Sequence, residues 1–314
     1  MNDAAILTEG FSKSFGTQAA VSELNLRIQP GAVYGFLGRN GAGKTTTMRM
    51  LLGLVRPTKG SARVLGLDPT HETDLMRILE RVGFVPQRKQ LYGWATPAEL
   101  VRMNKAYFPH WSDEAAARLA QRLEIPMKTA FKKLSVGNQS KVALLLALAQ
   151  GAEVLILDEP TAGLDPVMVD EILRTLIEDH VSQGRTIFVS SHHLGEVEQI
   201  CDWVGILEEG HLLLESRLEE IRQEFRLVIA SGEGLPFATS TDVVSATTDG
   251  RFQRYVMARE AERFAAELRS QGATILEISP LGLRELFLHL VRKEDSCTPG
   301  SAGAKAAPVS SFSL

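Results

Sequence analysis

A glycine-rich segment at residues 38–45 carries the most specific chemical pattern in this sequence. Gly38, Gly43, Lys44 and Thr45 match the spacing G-x-x-x-x-G-K-[ST], between an apolar run and a stretch with helical periodicity. Glycines in such a loop allow backbone N–H groups to surround phosphate oxygens, and the next helix directs its positive end at them. Lys44 is therefore predicted to bind the β and γ phosphates of a nucleotide, and Thr45 to bind Mg²⁺. The predicted nucleotide contacts are Gly38, Arg39, Asn40, Gly41, Ala42, Gly43, Lys44, Thr45 and Thr46.

A second chemical feature is a pair of carboxylates at the end of an apolar run. Asp158 and Glu159 directly follow the strand-like segment Val154–Leu157. Because ligands gather at the carboxyl ends of parallel strands, we expect the pair to lie near the glycine-rich loop. Asp158 would hold Mg²⁺ through water, and Glu159 would act as general base on the attacking water. The alternative, a strand that merely ends in solvated acids, is disfavoured by the loop upstream.

A third segment, LSVGNQ at residues 134–139, lies between these two in the sequence. The three segments in this order resemble the motifs of the ATP-binding cassette (ABC) ATPase family. It is similar to the family's LSGGQ signature and departs from it at Val136 and Asn138. The Ser135 hydroxyl, the Gly137 amide and the helix dipole would form an anion site. The resemblance implies that this site acts across a dimer, on the γ-phosphate held by the loop of the opposite subunit.

Two further loop positions resemble motifs of the same family. Gln87 in VGFVPQ is similar to the Q-loop glutamine, which senses Mg²⁺ and the attacking water, and which links the site to a helical insert. An exposed loop glutamine is the alternative. Asp165 in GLD resembles the D-loop residue that faces the partner subunit, whereas Asp165 before Pro166 is also an ordinary start of a helix.

A histidine and an aromatic residue complete the resemblance. His192 follows the strand-like IFVSS and fits the switch histidine that contacts the γ-phosphate and orders Glu159, with His193 as the competing position. Phe15 lies where the family stacks an aromatic ring on adenine, although an aromatic residue near a β-turn is more often part of a core. Stacking tolerates other bases, so the resemblance implies ATP as the nucleotide and leaves GTP open.

The elements that must position these residues are predicted by hydrophobic periodicity. Residues 5–35 have the spacing of short strands, and residues 96–150 have helical periodicity without a strand pattern. Strands and helices then alternate up to about residue 200, which favours a mostly parallel sheet with helices on its faces. The predicted fold class is α/β, an ABC-type P-loop NTPase with an N-terminal antiparallel β subdomain, a helical insert and a small C-terminal α+β appendage.

The same patterns predict the domain organisation. An ABC ATP-binding domain covers residues 1–225, with its helical subdomain at about 96–150. Short strands and two helices indicate an α+β accessory domain at residues 226–293. The final segment, residues 294–314, is rich in Ser, Ala, Gly and Pro and is predicted to be disordered, because it offers little apolar area to bury.

Composition limits the classes of partner. The net charge of −4 gives no field that attracts polyanions, so no nucleic acid is expected. Two cysteines, Cys201 and Cys297, cannot build a disulfide framework or a four-ligand zinc site, which fits a reducing cytoplasm. No run of about 18 uncharged apolar residues occurs. Any membrane association is therefore expected to come through a partner.

These features and the family resemblance imply the ATP-hydrolysing subunit of a transporter. The expected partners are membrane-spanning permease subunits on another chain and a second copy of this chain across the ATP sandwich, at the cytoplasmic side of the cell membrane. A ribosome-acting ABC protein would carry tandem domains, and a chromosome-structuring one would carry long coiled coils; neither pattern is present. The closing ISPLGLRELFLHLV resembles the tail of ABC-2-type exporter subunits, which favours export.

Overall fold

The computed structural model describes residues 4–232, 235 and 242–291 and divides into two compact units, Met1–Leu212 and Leu213–Leu314. The predicted disordered tail and the last two residues of the predicted accessory domain lie outside the described residues. In chain order the elements are β1 (Ile6–Phe15), β2 (Gln18–Ile28), β3 (Val33–Leu37), α1 (Lys44–Leu51), β4 (Lys59–Val64), α2 (Glu72–Arg81), β5 (Val82–Val85), α3 (Pro97–Tyr107), α4 (Asp113–Arg122), a 3₁₀ turn (Phe131–Lys133), α5 (Val136–Ala149), β6 (Val154–Asp158), α6 (Pro166–Gln183), β7 (Thr186–Ser191), α7 (Leu194–Ile200), β8 (Trp203–Glu208), β9 (His211–Arg217), α8 (Leu218–Glu224), β10 (Arg226–Ser231), β11 (Val243–Asp249), β12 (Phe252–Met257), α9 (Ala261–Ser270), β13 (Thr274–Pro280) and α10 (Leu283–Val291).

An antiparallel sheet in the order β2-β1-β4 forms the start of the first unit, as predicted. Its strands β1 and β2 are long, 10 and 11 residues, rather than the short strands expected from the sequence. Register shifts between Thr8 and Phe11 and between Phe11 and Lys13 allow the pair to bend and continue. The sequence pattern did not predict the third strand, β4.

A six-stranded sheet in the order β5-β6-β7-β3-β8-β9 positions the predicted site. The pairs β5–β6, β6–β7, β7–β3 and β3–β8 are all parallel. Strands β3, β6 and β7 are buried along their whole length, which is typical of a sheet covered by helices on both faces. Since β6, β7 and β3 are neighbours, their carboxyl ends meet at one edge of the sheet.

The insert between β5 and β6 is helical, as the periodicity predicts. Thr96 and Glu99 form a capping box at the start of α3, and Ser112 caps α4 by accepting from the Ala115 N–H. All three α-helices of this insert, α3, α4 and α5, lie between the Q-loop position and β6. The helical insert therefore connects directly to two predicted site segments.

The second unit contains an antiparallel sheet in the order β11-β12-β10-β13, packed on α9. Tyr255 and Phe264 meet edge to face, with ring centroids 5.0 Å apart, in the core of this unit. The division after Leu212 falls earlier than the predicted boundary at residue 225, because α8 packs against β13 and α10. Strand β11 was not predicted, since few of its residues are buried.

No helix in the described part of the chain combines the length and the apolar character needed to cross a bilayer.

Candidate functional site

The glycine-rich loop runs from β3 into α1, as its sequence predicts. Gly43 has φ = 113°, a left-handed conformation, and a Cβ there would lie 2.4 Å from the carbonyl oxygen of Ala20. A Cβ on Gly38 would lie equally close, 2.4 Å, to the carbonyl oxygen of Leu207. Glycine is therefore required at both ends of the loop, by conformation and contact at Gly43 and by contact alone at Gly38.

A cleft of about 220 Å³ lies over this loop and brings several predicted residues together. Two of its lining residues, Gln87 and Glu159, are far from the loop in sequence. The lining is Ala20, Asn40, Gly41, Ala42, Gly43, Lys44, Thr45, Thr46, Gln87 and Glu159. Gly38 and Arg39 are not part of this lining. Their backbone carbonyl oxygens accept hydrogen bonds from the Lys44 ammonium, at 2.7 Å and 3.2 Å.

Glu159 is the centre of the polar contacts in this cleft. Its side chain is buried, and its Oε1 lies 3.4 Å from the Lys44 Nζ. Its Oε2 accepts a hydrogen bond of 2.8 Å from the Gln87 Nε2 and lies 3.3 Å from the His192 Nδ1. Glu159 itself has φ = 44°, an uncommon conformation for a residue with a side chain. Three of the residues predicted to be catalytic, Lys44, Gln87 and His192, thus each contact the fourth, Glu159.

The two adjacent histidines are distinguished by this geometry. The His192 ring faces Glu159, whereas the His193 backbone N–H donates to the Ser191 hydroxyl at 2.9 Å and its ring packs on that of His192. The arrangement supports His192 at the switch position.

Asp158 is buried and held by a residue that sequence reasoning missed. The Ser190 hydroxyl donates to the Asp158 carboxylate at 2.8 Å and accepts from the Glu159 N–H at 3.0 Å. Asp158 and Ser190 are register partners on β6 and β7. Strand pairing brings them together, so no local pattern of residues indicates Ser190.

Glu196 is a second missed residue and connects the segment after Glu159 with the segment before His192. Its Oε2 accepts from the Thr161 hydroxyl at 2.7 Å and from the Ser191 hydroxyl at 3.0 Å. Thr161 follows Glu159, and Ser191 precedes His192. The Glu196 carboxylate therefore holds the segment of the base and the segment of the switch histidine at a fixed separation.

Lys89 is a third missed residue and lies just beyond Gln87. Its ammonium is within 3.2 Å of the Gln87 carbonyl oxygen and within 3.5 Å and 3.4 Å of those of Glu159 and Pro160. Burial lowers the pKa of Lys89, while the nearby negative charges of Asp158 and Glu159 act in the opposite direction.

The donor set fits Mg²⁺ better than a transition metal. Thr45 and Gln87 line the cleft and Asp158 lies buried at the end of β6, which together offer hydroxyl, amide and carboxylate oxygens. Within the described residues, no group of three or more His, Cys, Asp or Glu side chains is placed to hold a metal ion. A site with so few protein ligands suits a metal ion that keeps several coordinated waters and is also bound by substrate phosphates.

The remaining predicted residues lie outside this cleft lining. Phe15 is 54% exposed, and the Lys13 ammonium lies 5.0 Å from its ring centroid. Ser135 caps α5 by accepting from the Asn138 N–H, and Asp165 caps α6 by accepting from the N–H groups of Val167 and Met168.

Gly137 is packed against α6 rather than against the cleft. A Cβ on Gly137 would lie 2.1 Å from the Met168 sulfur, so the signature segment is tied to α6. Within the described part of the chain, the signature segment and the D-loop residue Asp165 therefore do not line the cleft that contains Lys44.

Comparison with known proteins identifies relatives of this architecture. The family model described as ABC transporter matches residues 21–162. The bacitracin transport ATP-binding protein BcrA of Bacillus licheniformis is 37% identical over 223 residues, covering 70% of this chain and 72% of that protein. The Nod factor export ATP-binding protein I of Rhizobium etli is 30% identical over 302 residues, covering 90% of this chain and 92% of that protein.

Solved structures agree with the fold. CbiO1 from Clostridium perfringens, part of the ABC transporter complex cbiONQ, is 29% identical with a TM-score of 0.61, covering 70% of this chain and 90% of that one. The dimeric ATP-binding cassette MJ0796 bound to ADP and Pi has a TM-score of 0.62 at 23% identity, covering 68% of this chain and 98% of that one. At this level of identity the likeness supports the fold alone.

Proposed function

Because the chain belongs to the ABC transporter family, in which its relatives are the ATP-binding subunits, we propose that it hydrolyses ATP with Glu159 as general base and powers a separate membrane-spanning subunit. The observation that carries this assignment is the contact of the buried Glu159 carboxylate with Lys44, Gln87 and His192. Three residues from separate segments meet at the carboxylate of a fourth, beside a phosphate-binding loop. A module that only binds nucleotide has no need of that arrangement.

The residues have distinct roles in the proposed reaction. The backbone N–H groups of the loop and the Lys44 ammonium bind the phosphates, which draws the ammonium away from the Glu159 carboxylate. The released carboxylate then accepts a proton from the attacking water, which Gln87 and His192 orient. Mg²⁺, held by Thr45, Asp158 and Gln87, would neutralise charge that develops on the phosphate oxygens.

The complete site requires a second copy of the chain. Ser135, Gly137 and Asp165 lie outside the cleft that Lys44 occupies, so these residues would serve the nucleotide of the partner. The Ser135 hydroxyl and the N-terminus of α5 offer hydrogen-bond donors and a positive dipole to a phosphate. Closure on ATP and opening after hydrolysis would supply the two states of a transport cycle.

The membrane partner would bind near the helical insert and hold the subunit at the cytoplasmic side of the membrane. Tyr92, Trp94 and Tyr107 are 58%, 66% and 77% exposed on or beside this insert. Exposed aromatic residues of this kind are enriched in protein interfaces. The name of one relative, the Nod factor export ATP-binding protein I, supports export as the direction of transport. Adenine would stack on the exposed ring of Phe15.

The experiment that tests this function is the Glu159→Gln substitution in the full chain. Turnover should fall below detection while ATP binding persists and the closed dimer accumulates. Glu114→Gln, an exposed glutamate on α4, is the matched control and should hydrolyse ATP like the wild type. Purification of the Glu159→Gln protein with ATP from detergent-solubilised membranes should also recover a polytopic membrane protein. Hydrolysis by Glu159→Gln would refute the role of the base, and recovery with ribosomes or DNA instead would refute transport.

A further inference from the structure

We propose that Lys89 is a positioning residue for ATP hydrolysis, which ties the loop that carries Gln87 to the peptide that carries Glu159. This inference rests on the proposed function, because it assigns a role within the same reaction. Lys89 does not line the nucleotide cleft among the described residues, so it would act through Gln87 and Glu159 rather than on the substrate.

The first support is the set of carbonyl groups around the ammonium. The Lys89 Nζ lies 3.2 Å from the carbonyl oxygen of Gln87 on its own loop. It lies 3.5 Å and 3.4 Å from the carbonyl oxygens of Glu159 and Pro160, about 70 positions away in sequence. A lysine ammonium has three N–H donors and no acceptor, so one side chain can connect both segments. Hydrogen bonds from a charged donor are stronger than neutral ones.

The second support is the conformation of the peptide that Lys89 holds. Glu159 has φ = 44°, which costs free energy for a residue with a Cβ and persists only where its surroundings hold it. The Glu159 N–H donates to the Ser190 hydroxyl at 3.0 Å, and the Lys89 ammonium lies 3.5 Å from the Glu159 carbonyl oxygen. The base is therefore held at both ends of the residue, once by β7 and once by the Gln87 loop.

The third support is the short contact between the two groups that Lys89 connects. The Gln87 Nε2 donates to the Glu159 Oε2 at 2.8 Å, and this contact requires that the two backbones keep their separation. The Arg88 side chain is exposed, whereas that of Lys89 is partly buried. A solvated surface lysine would not place its ammonium inward, between the Gln87 loop and the segment that carries Asp158 and Glu159, at the cost of desolvation.

The test compares three full-length variants with the wild-type protein in steady-state ATP hydrolysis. Lys89→Met keeps the length of the side chain and removes the donors, so kcat should fall by roughly tenfold to a hundredfold, as expected for a misplaced base. The KM for ATP should change by less than about threefold, because the phosphate-binding loop is intact. Lys89→Arg retains charge and donors and should recover most of the lost kcat. Arg88→Met removes a charge from the same loop and should leave both constants unchanged.

Each outcome bears on the proposal. A Lys89→Met protein with wild-type kcat would overturn it, and so would an equal loss of kcat in Arg88→Met, which would indicate a general effect of charge. If Lys89→Met fails to fold by circular dichroism, the Lys89→Arg protein decides: the proposal requires it to fold and to turn over ATP at a rate near that of the wild type. Absence of hydrolysis in the wild-type protein would instead contradict the proposed function itself.

Discussion

The Lys44 ammonium lies 3.4 Å from the Glu159 carboxylate, and both side chains are buried. The residue predicted to bind phosphate and the residue predicted to activate water therefore neutralise each other in this structure. A buried carboxylate is costly without such a partner. Arrival of a nucleotide must exchange this ion pair for one between Lys44 and phosphate, so binding and activation of the base are linked.

Substitution of Lys44 by Met should strongly weaken ATP binding. Hydrogen bonds to charged groups contribute about 1.5–3 kcal/mol, so we expect affinity to fall by at least about tenfold. The variant should also unfold at lower temperature, because Glu159 loses its buried partner. Fluorescent ATP titration and thermal unfolding measure the two effects. Lys128→Met, on an exposed lysine, is the control, and unchanged affinity in Lys44→Met would contradict the role of the loop.

Substitution of Glu196 by Gln should lower kcat more than it changes the KM for ATP. The Glu196 carboxylate accepts from Thr161 and Ser191, and an amide retains only part of that capacity. The segment that carries His192 would lose its fixed distance from Glu159, and we expect a loss in kcat of roughly tenfold. Thr161→Val, which removes one of the two donors, should cause a smaller loss. Wild-type kcat in both variants would show that the network does not position His192.

Two glycines of the same loop should differ in their tolerance of alanine. Gly43→Ala brings a Cβ within 2.4 Å of a backbone oxygen at φ = 113°, so the loop must move. We expect a loss of about 2–3 kcal/mol in the free energy of unfolding, together with loss of ATP binding. Gly41, at φ = 86°, has open space around a Cβ and should cost about 1–2 kcal/mol. Urea denaturation followed by fluorescence gives both values. Equal costs would mean that backbone conformation alone, without the contact at Ala20, decides the effect.

Removal of the exposed aromatic pair should weaken binding to the membrane subunit without affecting hydrolysis by the isolated chain. The Tyr92 and Trp94 rings lie 5.9 Å apart and are both exposed. A double Tyr92→Ala, Trp94→Ala variant should co-purify several-fold less of the permease, since buried aromatic side chains dominate interface energies. Phe252→Ala removes an exposed aromatic residue in the second unit and serves as control. Undiminished recovery of the permease would place the interface elsewhere.

The sequence predicted the elements near the site well because their patterns are local. The strand before Asp158, the helical pattern that begins at residue 96 and the Pro166 start of α6 each depend on neighbouring residues. Lys89, Ser190 and Glu196 were missed because their partners are distant in sequence and become neighbours only through the order of the strands. The family resemblance implies that His192 orders Glu159, and the structure places the His192 Nδ1 3.3 Å from the Glu159 carboxylate, while the role itself stays a prediction.

Elsewhere, prediction from sequence was limited by weak patterns. Strand β11 has few buried positions and pairs only with β12 at the edge of its sheet, so it carries little hydrophobic alternation. Helix α8 is 7 residues long and is placed by its packing against β13 and α10. The same packing places α8 in the second unit, whose division after Leu212 differs from the predicted boundary at residue 225.

The position of β5 at one edge of the six-stranded sheet affects how such a chain can diversify. Strands β6, β7 and β3 each have two neighbours, whereas β5, which leads to Gln87 and the helical insert, pairs within the described part of the chain with β6 alone. Changes of sequence in the insert can therefore reach the chemical centre by two routes, through the loop after β5 with its Lys89 contact and through α5, which leads into β6. Selection can reshape the insert to suit a new membrane subunit while the catalytic strands stay as they are.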